Sequence, residues 1–220
     1  MKKKKKVFTP LAAIIILLAA FLLKDADLTG TVPGYYNNTE IVTVEAPLDI
    51  DTVKSKGMGS NRFIFARVTR VVDGDTLEVE YKSKEYKIRL LDVDTPESVK
   101  QGVEEQPYSK TAFEFTESMV LNKDVKLVFE KGIKDRYQRL LAHVILDDGS
   151  YLNGMLVRNG FARVEIVSPN SKMSEYFYNL QDIAVENGAG LWGLPEDDRP
   201  FVKNSKGKYI ARYKENEKAS

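Results

Sequence analysis

The chain has 220 residues, which is enough for one well-filled domain with extensions and short for two. It contains 43% hydrophobic and 30% charged residues, as ordinary globular proteins do, and it has no cysteine. The lack of cysteine excludes thiol catalysis, zinc–cysteine sites, disulfides and a lipid-modified N-terminal cysteine. The net charge of +1 depends on the five lysines Lys2–Lys6, because the rest of the chain has 28 basic and 32 acidic residues. Any affinity for a polyanion such as nucleic acid would therefore need locally placed arginines and a bound cation.

Residues 1–23 join these lysines to an apolar run at residues 7–23. Such a segment is typical of a secretory signal peptide or of an uncleaved membrane anchor. The lysines predict that the N-terminus stays cytoplasmic and that the rest of the chain is exported. We therefore expect a protein that is secreted or, if the segment is not cleaved, anchored to the outer face of the cytoplasmic membrane through residues 7–23.

Two segments lack the periodicity of regular structure. Residues 24–61 are rich in Gly, Pro and Asn and are predicted to be a flexible linker. Residues 195–220 are polar and charge-rich, and we interpret them as a mobile C-terminal tail. The folded domain is therefore predicted at residues 62–194.

Within this domain, short β-type runs alternate with helical patterns. Five strands are predicted at Phe63–Val72, Thr76–Tyr81, Tyr86–Leu91, Val125–Phe129 and Leu140–Leu146. Three helices are predicted at Pro107–Leu121, Leu152–Arg158 and Ser174–Glu186. This order predicts an α+β fold, a five-stranded OB-type barrel with three α-helices, preceded by the N-terminal hydrophobic segment.

Charged residues concentrate where the first three strands end. They are Asp73, Asp75, Arg89, Asp92, Asp94 and Glu97. Clustered carboxylates repel one another, and a hard cation such as Ca²⁺ or Mg²⁺ would resolve the conflict. An Asp-Gly-Asp sequence alone is typical of a hairpin turn, but adjacent strands would bring Asp75 and Asp94 close enough to share one cation.

Strict strand alternation would place Arg89 and Asp94 on opposite faces of the sheet. A joint role for the two side chains therefore requires the strand to end or bulge near Asp92 and Val93.

A second group of basic residues lies in the loop before the fifth strand. Arg139 begins that strand and could hold one phosphate together with Arg89, because guanidinium groups bind phosphate in a bidentate manner. Arg136 and Tyr137 in the same loop are expected to contact the substrate. His143 is the only histidine, and a histidine inside a strand is more often packed than catalytic.

These motifs resemble those of the thermonuclease (staphylococcal nuclease) family over about residues 63–193. The matching segments are Asp73–Thr76, Arg89–Glu97, Asp135–Ala142 and Leu191–Trp192. The resemblance implies an OB-type barrel with three helices that hydrolyses DNA and RNA with Ca²⁺ and leaves 3′-phosphates. A monomer with a preference for single-stranded substrate is expected.

The resemblance also implies roles for individual residues. Asp75 and Asp94 would hold Ca²⁺ with the backbone carbonyl of Thr95. Asp73 would lie next to these ligands without binding the ion directly. Glu97 would be the general base. The phosphate clamp would consist of Arg89 and Arg139.

The sequence departs from the family pattern at two places. The family often has Gly where this chain has Gln138. It also often has base-stacking tyrosines where this chain has Phe161–Pro169, a span that includes Glu165, Ile166 and Ser168.

Two other interpretations remain open from the sequence. The first is an OB-fold module that binds nucleic acid or a peptide without catalysis. The second treats the carboxylates as a structural calcium site, which predicts that calcium raises the melting temperature without any turnover.

Overall fold

The computed structural model describes residues 62–98 and 105–212, and the side chains from Phe63 onward. Five strands close into a barrel in the order β1–β2–β3–β6–β5. The barrel strands are β1 Arg62–Asp73, β2 Thr76–Tyr81, β3 Lys84–Leu90, β5 Asp124–Phe129 and β6 Leu140–Ile145. The α-helices in this part of the chain are α1 Ser109–Val120, α2 Leu152–Arg158 and α3 Ser174–Glu186. The predicted α+β fold with a five-stranded barrel and three helices is confirmed.

Strand β1 is long enough to pair with two neighbours, β2 and β5. Every second side chain of β1 faces the core. Ile64, Ala66 and Val68 are buried there. Irregularities in the β1–β2 register near Val68 and Val71 bend the strand, which lets it close the barrel. The two-residue turn at 74–75 then returns the chain directly into β2.

The chain leaves the barrel after β3. Asp92 adopts a left-handed backbone conformation with φ of 63°, so strand alternation is broken there. The following short strand, β4 at Asp92–Asp94, pairs with β7 at Arg163–Glu165 instead of with the barrel. The break that the sequence required between Arg89 and Asp94 is therefore present.

The C-terminal segment differs from the predicted tail. Strands β8, Phe201–Lys203, and β9, Tyr209–Ala211, form an antiparallel hairpin. Phe201 packs against Trp192 in a second, smaller core, with ring centroids 6.4 Å apart. The polar composition concealed this hairpin because each strand has only three residues, too few to show a hydrophobic period.

The predicted hydrophobic segment 7–23 and the predicted linker 24–61 lie outside the described residues. Among the residues that the structure does describe, we find no helix with the length and apolar character needed to cross a bilayer.

The hairpin packing gives a stability prediction. Phe201→Ala should lower the free energy of unfolding by about 3 kcal/mol, because truncating a buried aromatic side chain leaves a cavity. Urea unfolding followed by fluorescence measures this, since Trp192 is the only tryptophan and lies in the same core. Phe65→Ala is the control, because Phe65 is 57% exposed. If the two variants lose equal stability, the hairpin does not pack as described.

Candidate active site

The turn between β1 and β2 is tied to the start of the segment that follows β4. The backbone N–H of Thr95 donates to Oδ2 of Asp75 at 3.0 Å. The backbone N–H of Leu90 donates to the carbonyl oxygen of Asp75 at 2.9 Å. These bonds fix Asp75 beside the end of β4, where Asp94 lies. The predicted meeting of the two strand ends is therefore observed.

Arg89 joins the two aspartates. Its Nη1 lies 3.0 Å from Oδ2 of Asp75, and its Nη2 lies 3.1 Å from Oδ1 of Asp94. Nη1 also donates to the carbonyl oxygen of Val93 at 2.7 Å. Only 11% of the Arg89 side chain is exposed. Burial alone would lower the pKa of its guanidinium, but the surrounding carboxylates outweigh burial and hold that pKa above its ordinary value.

Asp73 holds the turn between β1 and β2 through two hydrogen bonds. Its Oδ1 accepts hydrogen bonds from the N–H of Gly74 and from the hydroxyl of Ser98, both at 2.9 Å. Burial and, secondly, the charge of Asp75 raise the pKa of the Asp73 carboxyl. The Asp73 side chain thus fixes the turn that presents Asp75.

Helix α1 packs directly against this turn. The hydroxyl of Thr116 is buried and donates to the carbonyl oxygen of Gly74 at 2.7 Å. A Cβ at Gly74 would come within 2.8 Å of Cβ of Ala112 and within 2.9 Å of Cγ2 of Thr95. Position 74 therefore requires glycine because the helix and the site segment leave no space for a side chain.

Arg139 reaches the same site from the loop before β6. Its Nε donates to Oδ2 of Asp135 at 2.7 Å, and its Nη1 lies 3.5 Å from the hydroxyl oxygen of Thr76, next to Asp75. The Arg139 side chain is 28% exposed, so it is more accessible to solvent than Arg89. The two predicted clamp arginines thus border the same turn, one at the surface and one buried.

In the loop before Arg139, a residue other than glycine adopts the left-handed backbone conformation. Gln138 has φ of 66°, a conformation that favours glycine. The carboxylate of Asp135 holds the loop in this shape by accepting the N–H groups of Tyr137 at 2.9 Å and of Arg139 at 3.0 Å. The departure at Gln138 therefore leaves a closed, hydrogen-bonded turn.

Arg136 and Tyr137 lie beside Arg139 on the surface. Nη2 of Arg136 donates to the hydroxyl of Tyr137 at 2.7 Å, and Tyr137 is 64% exposed. The Arg139 guanidinium carbon lies 5.6 Å from the centre of the Tyr137 ring. These side chains form an exposed basic and aromatic rim next to the clamp.

Glu97 follows Asp94 and Thr95 on the same segment and is partly exposed. Its backbone N–H donates to Oε1 of Gln106 at 2.8 Å, and its carbonyl oxygen accepts the N–H of Gln106 at 3.1 Å. These two bonds fix the backbone that carries the predicted general base.

The structure adds two residues that the sequence analysis did not assign to the site. Strand β7 pairs Arg163 with Asp94, and Nη2 of Arg163 lies 2.6 Å from Oδ2 of Asp94. The same nitrogen lies 2.6 Å from Oε1 of Glu165, whose Oε2 lies 3.7 Å from Nη2 of Arg89. The sequence does contain a signal for this pair. Arg163 and Glu165 flank the apolar Val164, and in a strand such alternation predicts that both charged side chains lie on the same face of the sheet.

The oxygen atoms present suit a hard cation. Asp75 and Asp94 both contact Arg89, so one guanidinium spans the distance between them. The hydroxyl oxygen of Thr95, the residue after Asp94, is buried and has no hydrogen-bond partner among the described residues. Carboxylate and carbonyl oxygens, together with water, are the ligands that Ca²⁺ takes. The predicted metal residues therefore fit calcium by the chemistry of their donors.

Comparisons with known proteins agree with this arrangement. A family model described as staphylococcal nuclease homologue matches residues 87–193. A thermonuclease of Staphylococcus hyicus is 34% identical over 152 residues, which cover 69% of this chain and 89% of that protein. A thermonuclease of Staphylococcus intermedius is 37% identical over 57% of this chain and 74% of that protein. An endonuclease of Bacillus subtilis is 35% identical over 60% of this chain and 63% of that protein.

The contact between α1 and the turn gives a prediction. Thr116→Val should lower the free energy of unfolding by about 1–3 kcal/mol, because it leaves the buried carbonyl of Gly74 without its donor. Thr111→Val is the matched control, since Thr111 is exposed on the same helix. Urea unfolding of both variants measures the difference. Equal losses would show that the hydrogen bond to the turn contributes nothing to stability.

Proposed function

This chain belongs to the staphylococcal nuclease family and is a nuclease, and we propose that it uses calcium to hydrolyse phosphodiester bonds of DNA and RNA to 3′-phosphate products. The observation that carries the proposal is the convergence of Asp75, Arg89 and Asp94, with Arg139 beside them. A site built only to bind a polyanion would have no need for carboxylates at its centre, because they repel phosphate.

Asp75 and Asp94 would hold the calcium ion, with the backbone carbonyl oxygen of Thr95 as a further ligand. When bound, the ion would neutralise phosphate charge and stabilise the charge that develops on the phosphate oxygens. It would also supply the positive charge that the domain lacks, since residues 62–193 contain 18 basic and 21 acidic residues.

The protein residues perform the remaining steps. Arg139 binds a phosphate oxygen from the exposed side, and Arg89 binds another from the buried side. Glu97 removes a proton from a water molecule, and the water oxygen attacks phosphorus. The bond from phosphorus to the 5′-oxygen breaks, and that oxygen takes a proton from solvent water to become a hydroxyl group. The phosphate remains on the 3′-oxygen of the other product.

We also propose a preference for single-stranded or locally opened nucleic acid. Tyr137 is exposed beside the clamp, and an aromatic ring there can stack on an unpaired base. In the segment Phe161–Pro169, where the family often has base-stacking tyrosines, this chain has Ile166 and Ser168, which carry no aromatic ring. One stacked base contributes roughly 1–3 kcal/mol, so the Tyr137 side should dominate base contacts.

We further propose that the protein works outside the cytoplasm as a monomer, secreted or anchored through residues 7–23. The lysine block and the apolar run support export. Millimolar extracellular calcium can fill a weak carboxylate site, as it does in other extracellular modules.

Metal removal tests the calcium requirement. The full-length protein, purified in a mild detergent, should degrade heat-denatured DNA in calcium and stop when a calcium chelator is added in excess. Analysis of the product ends should find 3′-phosphates. Calcium-dependent thermal stabilisation without any cleavage would instead support a structural calcium site.

Substitutions test the assigned roles. Glu97→Gln and Arg139→Ala should each lower kcat at least about 100-fold, because each removes a group that acts in the transition state. Glu114→Gln and Arg67→Ala are matched controls, since both side chains are exposed and lie outside the site. Initial rates on one labelled oligonucleotide compare the four variants. Near-normal turnover of Glu97→Gln would remove the general base from the mechanism.

A further inference from the structure

A second group of carboxylate and imidazole side chains lies beside the barrel, apart from the active-site pair. Its members are Asp92 at the start of β4, Glu130 directly after β5 and His143 inside β6. One ligand atom from each residue lies within 4.8 Å of the others. Three segments distant in the sequence thus converge at this point.

All three side chains are buried. The exposed fractions are 3% for Asp92, 9% for Glu130 and 0% for His143. Two carboxyl groups and an imidazole are costly to bury together unless their charges are compensated. The proposed nuclease activity uses none of the three.

The imidazole is already oriented as in metal sites. Nε2 of His143 lies 3.0 Å from Oε1 of Glu130, and Nδ1 lies 2.6 Å from the hydroxyl of Tyr151. In the tautomer with the proton on Nδ1, Nδ1–H donates a hydrogen bond to the hydroxyl oxygen of Tyr151, and the lone pair of Nε2 lies beside the Glu130 carboxylate. Histidine ligands of metals are held by such a hydrogen bond to their second nitrogen.

The carboxyl group of Asp92 indicates that a binding partner is missing from this group. Both of its carboxylate oxygens are buried, and neither has a hydrogen-bond partner within residues 62–98 and 105–212. Buried polar groups are nearly always hydrogen-bonded or bound to a metal, and an unpaired carboxyl group at this position destabilises the fold. Asp92 nevertheless occupies a left-handed backbone position that glycine or asparagine would adopt at lower cost.

We propose that Asp92, Glu130 and His143 bind a divalent transition-metal ion, zinc in the first instance. Zinc–nitrogen and zinc–oxygen bonds are about 2.0–2.2 Å long, so two ligands at a tetrahedral angle are about 3.3–3.6 Å apart. The ligand atoms lie within 4.8 Å of one another, so side-chain shifts of up to about 1.5 Å would bring them to this spacing. A water molecule would complete a tetrahedral set of one nitrogen and three oxygens.

The donor set separates this site from the calcium site. Imidazole is a favoured ligand for zinc and other transition metals, whereas calcium takes oxygen ligands. The Asp75 and Asp94 pair offers only oxygen. The two sites should therefore select different ions, and this proposal does not depend on the nuclease mechanism.

Binding there would fasten β4 to the barrel. The strand has left the barrel at Asp92, and Asp94 of the active site follows two residues later. An ion shared with Glu130 and His143 would link that strand to β5 and β6. The site thus has a structural role, and its loss should be seen first in stability.

Zinc titration of the full-length protein in mild detergent, stripped of metal with a chelator, tests the proposal. Calorimetry and elemental analysis should find one tightly bound zinc per chain, and an excess of calcium should not displace it. Zinc should also raise the melting temperature. Cobalt, used as a visible probe, should give the absorption bands of an ion bound to nitrogen and oxygen.

Variants locate the ion. Asp92→Asn should weaken zinc binding at least about 100-fold and abolish the cobalt bands, and asparagine tolerates the left-handed backbone there. His143→Gln should do the same, and it keeps the test valid if the first variant misfolds. Asp75→Asn is the control and should bind zinc like the unmodified protein.

Equal zinc binding by Asp92→Asn and the unmodified protein would overturn the proposal by placing the ion elsewhere. Failure of the unmodified protein to bind one zinc per chain would overturn it as well, and would leave Asp92 as a protonated buried carboxyl. Neither result depends on whether the protein cleaves DNA.

Discussion

The site depends on the contacts that the Arg89 guanidinium makes with two carboxylates. The guanidinium contacts Asp75 and Asp94 at about 3 Å and also donates to the backbone of the segment that joins them. Without this cation the two carboxylates would repel each other in a poorly hydrated place. The same contacts hold the β1–β2 turn and the end of β4 in one geometry before any ligand arrives. Because such preorganisation costs nothing at the moment of reaction, it is the basis of electrostatic catalysis.

The fold can be understood as the support for that contact. Strand β4 leaves the barrel at a left-handed residue, Asp92, which turns Asp94 toward Arg89. Strand β7 then covers β4 and brings Arg163 to the other oxygen of Asp94. Asp94 is therefore held by two guanidinium groups from opposite sides. Arg139 contacts Asp135 and is partly exposed, so in the proposed mechanism it is the arginine that incoming phosphate would reach first.

Sequence patterns predicted the parts of this arrangement that are local. Asp75, Arg89 and Asp94 lie at the ends of consecutive strands, and antiparallel pairing of neighbours brings such ends together. Pairing between β4 and β7 was missed because it joins three-residue strands about 70 residues apart, and no periodicity marks strands so short. The same limit hid the β8–β9 hairpin. His143 was correctly expected to be packed, but its neighbours Asp92 and Glu130 come from two other segments, and only the tertiary fold brings the three together.

Arg89→Lys provides the most direct test of the central claim. Lysine keeps the positive charge but lacks the planar fork that reaches two carboxylates at once. We predict that the variant stays folded by circular dichroism while its single-turnover cleavage rate in saturating calcium falls at least about 100-fold. Calorimetry should show an altered calcium affinity, because Asp75 and Asp94 are no longer fixed relative to each other. A folded Arg89→Lys protein with the original cleavage rate and calcium affinity would contradict the account.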